Sequence, residues 1–303
     1  MRVFDPAVRD GGAAAVHFAD SADEALEGAH AAVIASPTSV HLEQATLALE
    51  HGCHVLVEKP LATRAAGAEG LQALALERGR LLAVAMNLRF HPGPRGVHEV
   101  VGSGAIGRPL LAHFTFGSYL PHWRPQDDYR EGYSARRDLG GGVLLDVIHE
   151  IDYAVWILGA VDSVSAHVAQ VSDLEVDVED MATVQLHFTD GAVASMDLDY
   201  LDRSYRRGCR IVGSEGSVAW SWHQEHIVVY GPNGEEEVRP TPSDVAPSYR
   251  EQLAAFFAAI EDEQPRLDHT GLVTGNEALR VLRIVDAARE SSEQRCRIAV
   301  PAS

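Results

Sequence analysis

A single lysine, Lys59, stands against twenty-four arginines, and it sits in the run Val55-Leu56-Val57-Glu58-Lys59-Pro60. A guanidinium stays charged at any working pH, whereas an ammonium shifts its pKa when desolvated and can pass protons. An arginine-biased composition could leave one lysine by accident. Its place after an apolar strand, where ligands bind in α/β sheets, argues instead for chemistry. A second group lies downstream, in Gly140-Gly141-Gly142-Val143-Leu144-Leu145-Asp146 with His149 and Asp152. His149, with an ordinary pKa of about 6.5, suits removal of a hydroxyl proton. Asp146 lies three positions earlier on a helix predicted from the glycines to about Leu158, so both share a face with Tyr153. Asp146 could orient the imidazole or grip a substrate hydroxyl. Taken alone, His149 reads equally as a half-buried histidine bonded to a neighbour, and Asp146 as a solvated helix residue.

The loop from Ser118 to Leu139 is the most distinctive stretch, with Trp123, Arg124, Tyr129, Arg130, Tyr133, Arg136 and Arg137. Aromatic faces stack on sugar rings, and arginine forks bind carboxylate or phosphate. Trp123, Arg124, Tyr129, Arg130 and Tyr133 are therefore candidate contacts to a carbohydrate that carries an anionic group. The alternative is a loop that packs on a neighbouring subunit.

These residues need a scaffold, and the pattern specifies one. Up to about Phe90, short apolar runs (Ala31–Ala35, Val55–Val57, Leu81–Met86) alternate with helical segments (Thr38–His51, Thr63–Arg78), the grammar of parallel βαβ units. Ser21 and Glu24 form a capping box for a short helix. After Pro94 strands dominate: Leu110–Gly117, then Met181–Phe188 and Ala192–Tyr200 around the hairpin signal Asp190-Gly191. Alternation implies a sheet buried on one face, with helices at Tyr249–Asp262 and Gly271–Glu290 to cover it. The fold class is α/β, with a Rossmann-like parallel-sheet domain over residues 1–93 and an α/β domain with an open, largely antiparallel sheet over 94–303. Gly102-x-Gly104-x-x-Gly107 matches a dinucleotide fingerprint literally, but a helix precedes it and a strand follows, so it reads as a connecting loop.

Ser36-Pro37-Thr38 with His41, Glu58-Lys59-Pro60, Asn87-x-Arg89-Phe90-x-Pro92 and the Gly140–Asp146 run with His149 and Asp152 occur in that order across nearly the whole chain. In this the sequence resembles the Gfo/Idh/MocA family of NAD(P)-dependent oxidoreductases. The resemblance implies hydride transfer between a nicotinamide and a hydroxyl-bearing carbon of a sugar, sugar derivative or cyclitol, with Lys59, Asp146 and His149 as the catalytic group. It implies cofactor contacts from Ser36, Pro37, Thr38, His41, Glu58, Lys59 and Asn87, a substrate contact from Arg89, and a cis Lys59–Pro60 bond. Asn87 and Arg89 could equally end a strand and cap the domain boundary. Family members commonly space this Asp and His by four positions and here the gap is three, which leaves their roles open. The family's first strand, glycine-rich turn and helix are absent ahead of Asp5. Asp5 sits where the acidic residue of the second strand would lie, favouring NAD over NADP. The expectation is a chain that starts about one βα unit late; the alternative is a fold that has lost cofactor binding. A non-catalytic sugar- or partner-binding protein and an NAD-dependent glycosidase are the competing functions.

The net charge of −19 opposes nucleic acid and anionic membrane as partners. No apolar run has membrane-spanning length. Cys53, Cys209 and Cys296 are odd in number and lack metal-ligand spacing, so no metal site and a reducing, cytoplasmic location are expected. The resemblance further implies a homo-oligomer formed through the open sheet face.

Overall fold

A computed structural model describes residues 1–8, 16–261 and 270–301. The first part holds β1 (Arg2–Val3), β2 (His17–Phe18), α1 (Ala22–Leu26), β3 (Ala31–Ile34), α2 (His41–Glu50), β4 (His54–Glu58), α3 (Glu69–Glu77) and β5 (Leu82–Ala85). Strands β3, β4 and β5 are parallel neighbours, as buried βαβ units require. Strands β1 and β2 pair in a separate two-stranded sheet, and among the described residues no strand bridges the two. Val33 on the β3 edge is 54% exposed. Ser21 caps α1 by accepting the Glu24 N–H at 3.1 Å.

The second part begins with α4 (Pro92–Gly102) and β6 (Pro109–Gly117), followed by α5 (Val143–Asp146), α6 (His149–Leu158), β7 (Val161–Ala169), β8 (Met181–Phe188), β9 (Val193–Asp199) and β10 (Arg206–Gly213). Then come β11 (Ser217–Ser221), β12 (His226–Tyr230), β13 (Glu236–Pro240), α7 (Ala246–Glu261), β14 (Val273–Thr274), α8 (Gly275–Gln294) and β15 (Ile298–Ala299). Nine strands form one sheet in the order β13-β12-β11-β10-β6-β9-β8-β7-β15, antiparallel except where β6 meets β9. Gly191, at φ +92°, makes the β8–β9 turn. One face carries the core: Phe114, Val184, Met196 and Ile211 are buried there against α6 and α8, each such side chain worth roughly 1.5–3 kcal/mol. No helix among the described residues is long and apolar enough to cross a membrane.

Four details differ from the sequence reading. The helix expected from Thr63 begins only at Glu69, because the Ala65 N–H binds the Asp286 carboxylate, Arg289 binds the Thr63 carbonyl, and Gly67 turns at φ +93°. The helix expected to run from the triple glycine to Leu158 is broken between α5 and α6. The Asp146 carbonyl accepts from Lys59 at 2.6 Å, and the Glu150 N–H turns to Val147 instead. Strand β14 returns from beyond residue 94 to pair antiparallel with β5, so the C-terminal segment contributes to both sheets. The helix placed at Tyr249–Asp262 starts earlier, at Ala246, and Asp262 lies outside the described residues.

Candidate active site

Lys59 immediately follows β4, and the Lys59–Pro60 bond is cis. Its ammonium donates to the Asp146 carbonyl and, at 3.3 Å, to Asp146 Oδ1. Two phenols complete the shell of that carboxylate: Tyr133 donates to Oδ1 and Tyr200 to Oδ2, each at 3.0 Å. The Asp146 side chain is 2% exposed and that of Lys59 17%. His149 opens α6 just past the helix break, is 7% exposed, and its Nδ1 has no hydrogen-bond partner.

Electrostatics separates these groups. Burial works to lower the pKa of Lys59, but the Asp146 carboxylate, the Tyr133 phenol and Glu58 overcome it, and the net direction is up. The pKa of His149 falls well below the usual imidazole range through burial first, then the Lys59 and Arg207 cations. Burial and the Asp146 charge raise the pKa of Tyr133 and Tyr200, so both phenols remain donors. The site thus holds an ammonium on Asp146 and a neutral imidazole three residues further along, the opposed pair that acid–base chemistry uses.

The triple glycine passes where side chains do not fit. Gly140 has φ +87°, and a Cβ there would lie 2.8 Å from Thr38 Cβ and from Thr63 Cγ2. A Cβ on Gly142, at φ +110°, would meet Glu179 at 2.5 Å. The glycines therefore carry the chain close beneath the first sheet and present Asp146 to Lys59.

The other candidates divide. Ser36 binds Gln44 at 2.7 Å, Pro37 is exposed and Thr38 is buried against the Gly140 turn. Both ring nitrogens of buried His41 lie 2.8 Å from carbonyl oxygens, those of Pro60 and Ser36, tying the two strand ends together. Half-buried Glu58 accepts the Lys59 N–H at 3.2 Å. Asn87 donates to Ser248 at 3.0 Å, and Asp5 accepts the Ala7 N–H at 2.8 Å. The Arg89 guanidinium is 5% exposed and is bound by Asp152, at 2.8 and 2.9 Å, and by Glu277, at the wall of a second cleft. Those bonds engage it within the protein rather than leaving it free for substrate.

The loop's positive charge is likewise spent internally. Arg130 pairs with Asp128 and Glu175, Arg136 with Asp138, and Arg137 binds the Asp177 carbonyl. Arg124 instead lies 5.5 Å from the Tyr133 ring centre. Trp123 packs edge-on against Tyr200 at 5.3 Å, while the Tyr129 hydroxyl accepts the Glu175 N–H. Trp123, Arg124, Tyr129 and Ser134 line a cleft of about 590 Å³ together with Asp127, Asp128 and Glu131. Tyr153, expected beside Asp146, is fully buried and donates to Glu150. Among the described residues no cluster of His, Cys, Asp and Glu could hold a metal.

Known proteins match this chain over most of its length. A profile of the oxidoreductase family with an NAD-binding Rossmann fold matches residues 8–86, and one of the Gfo/Idh/MocA C-terminal domain matches residues 95–219. A dTDP-3,4-didehydro-2,6-dideoxy-alpha-D-glucose 3-reductase of Streptomyces violaceoruber is 33% identical over 276 residues, covering 86% of this chain and 77% of that protein. The chain belongs to the Gfo/Idh/MocA oxidoreductase family. A 1,5-anhydro-D-fructose reductase of Ensifer adhaerens is 28% identical over 76% of this chain and 69% of its own. The structure of GenD2 from gentamicin A biosynthesis, in complex with NAD, superposes with a TM-score of 0.79 at 26% identity, covering 95% of this chain and 83% of that one. As in other members of this NAD-dependent oxidoreductase family, a Rossmann sheet abuts a large open sheet, here with Lys59 and Asp146 meeting between them. Gly102–Gly107 is the end of α4 and a tight turn before β6, not a cofactor loop. Tyr200, Glu150 and Arg207 carry no motif, and only the register of β9 and β10 against α6 would have pointed to them.

Proposed function

We propose that this chain transfers hydride between NAD and a hydroxyl-bearing carbon of a sugar, sugar derivative or cyclitol, with Lys59, Asp146 and His149 as its catalytic group. The observation that carries the reading is the Lys59 ammonium bonded to Asp146 at the end of β4, with Asp146 three residues before a neutral, buried His149. In the oxidative direction the substrate O–H proton passes to the neutral imidazole of His149, at Nε2 rather than the sealed Nδ1, as the C–H bond breaks. The Lys59 ammonium donates a hydrogen bond to the same oxygen and favours its alkoxide character. Asp146 has its oxygens filled by Lys59, Tyr133 and Tyr200, so it anchors the ammonium and leaves proton removal to His149. Bound NAD supplies the hydride acceptor. In reduction the proton transfer runs backwards, from protonated His149 to the carbonyl oxygen.

Ser36, Pro37, Glu58 and Lys59 stand at the carboxyl ends of β3 and β4, the ligand edge of a parallel sheet, and would meet the nicotinamide and its ribose, with Thr38, His41 and Asn87 bracing them and Asp5 at the end of β1. The described residues include no glycine-rich strand-to-helix turn for the pyrophosphate. Residues 1–93 with the returning β14 form the cofactor unit, and the rest holds the substrate. Trp123, Arg124, Tyr129 and Tyr133 line the sugar side. With Arg130 paired and three carboxylates on the cleft, a neutral sugar fits better than an anionic one. Free Cys53, Cys209 and Cys296 suit a reducing cytoplasm. Leu111, 55% exposed on the open face of the large sheet, and Val238 on the same face suit a homo-oligomer, which sedimentation would test. Titrating NADH by fluorescence, then assaying a panel of sugars for cofactor reduction, tests the function. Saturable NADH binding with turnover lost in His149→Asn is expected; absence of binding would refute it.

A further inference from the structure

The residue after His149 is a carboxylate with a 0% exposed side chain, Glu150, and it is bound by Arg207 of β10. Arg207 Nε donates to Oε1 at 2.8 Å and Nη2 to Oε2 at 3.3 Å. The guanidinium lies 4.7 Å from the Phe116 ring centre and 5.8 Å from that of Trp222. Tyr153 also donates to Glu150, at 3.4 Å. A buried ion pair of this kind can often be replaced by apolar side chains without loss of stability, so stability alone does not account for one placed beside a proton-transfer group. We propose that the Glu150–Arg207 pair is a positioning unit for His149: β10 grips the first turn of α6 through Glu150, which fixes where the imidazole stands and anchors a cation in the same region of the fold.

The groups around His149 support an electrostatic role. Lys59 faces it from the end of β4 and Arg207 from β10, and both charges oppose its protonation; Asp146 at the end of α5 is engaged by Lys59, Tyr133 and Tyr200. Tyr249 of α7 lies within electrostatic reach of Glu58, Lys59 and Arg207. Arg207 is the one cation of this set anchored outside the Lys59–Asp146 shell, so it can keep His149 a free base whatever the substrate does to Lys59.

The idea rests on His149 as the proton carrier of the proposed function, but its test needs no turnover, so the two fail separately. Ring-carbon NMR follows the histidines from neutral pH to the acid unfolding edge, with the His149 signal assigned by its loss in His149→Asn. Arg207→Met should move the His149 titration up by roughly one pH unit, the effect of removing one nearby charge at an effective dielectric near 20. Arg207→Lys should restore it towards wild type, a rescue that lost packing alone would not produce. In Glu150→Gln the imidazole should stay neutral to at least as low a pH as in wild type. The double variant Glu150→Gln/Arg207→Met removes both charges, keeps the site foldable, and should titrate like Arg207→Met. A wild-type titration in the folded double variant, or an upward shift in Glu150→Gln, would overturn the proposal.

Discussion

Replacing Lys59 by methionine separates what the lysine does for the fold from what it does for the reaction. Among the described residues, the change removes the one cation bonded to Asp146, whose side chain is 2% exposed. Breaking a buried pair by removing one partner costs about 3–5 kcal/mol. Tyr133 and Tyr200 still donate at 3.0 Å each, and charge-assisted bonds of that kind stabilise by about 1.5–3 kcal/mol, so the lower end applies. At about 2.1 cal/mol/K per residue over 303 residues, each kcal/mol moves Tm by roughly 1.6 °C, so Tm should fall by about 5 °C. Lys59→Met/Asp146→Asn removes the stranded charge and should regain most of that loss. Turnover should behave differently, dropping by roughly 10²–10⁴ in both variants, because neither restores the donor to the reacting oxygen. Thermal melts with and without NADH, run beside the sugar assay, read both quantities. A single variant that melts with wild type, or a double variant that recovers turnover, would show that Lys59 and Asp146 do not work as argued.

Gly140→Ala forces a positive-φ residue to carry a Cβ 2.8 Å from Thr38 and Thr63, and should destabilise by about 1–3 kcal/mol; an unchanged denaturant midpoint would refute the close packing of that turn. Arg89→Met strands Asp152 in the interior and should cost about 3–5 kcal/mol, while KM for the sugar in the folded enzyme stays at the wild-type value; a selective rise in KM would return Arg89 to the substrate site. Buried His91, with its pKa pushed down to about 4 by burial, stays neutral in the fold while the unfolded chain takes up a proton below about 6.5. Stability should therefore be lost as pH falls from 6.5 towards 4, by about 3 kcal/mol from this group. His91→Phe should flatten that part of a urea-midpoint profile against pH, and an unaltered slope would exclude His91 as the cause.

The sheets were readable because burial on one face writes a period of two into β8 and β9, and burial on both faces writes the apolar run of β4. What escaped the reading was set from far away in the chain. The segment before α3 stays out of helix because its backbone partners are Asp286 and Arg289, 221 and 226 positions from the residues they hold. The α5–α6 break has the same origin, since a side chain 87 positions earlier takes the Asp146 carbonyl from the helix ladder. The partners of Arg89 are likewise distant: Asp152 and Glu277 lie 63 and 188 positions away in the chain.

On the proposed function, the sequence points to Lys59, Asp146 and His149 but not to the division of labour among them. Burial alone would make Lys59 the readily deprotonated group and leave the Asp146–His149 spacing ambiguous between two bases. Three-dimensional coupling reverses the first expectation and resolves the second. Asp146, Tyr133 and Glu58 hold the lysine as an ammonium, while burial first, then that ammonium and Arg207, keep His149 neutral. Each group's protonation state is thus enforced by its neighbours, and no local window of sequence contains both partners. The spacing of three between Asp146 and His149 ceases to be a defect on this view. With the helix broken at Val147, the carboxylate turns to Lys59 and the imidazole is free to meet the substrate.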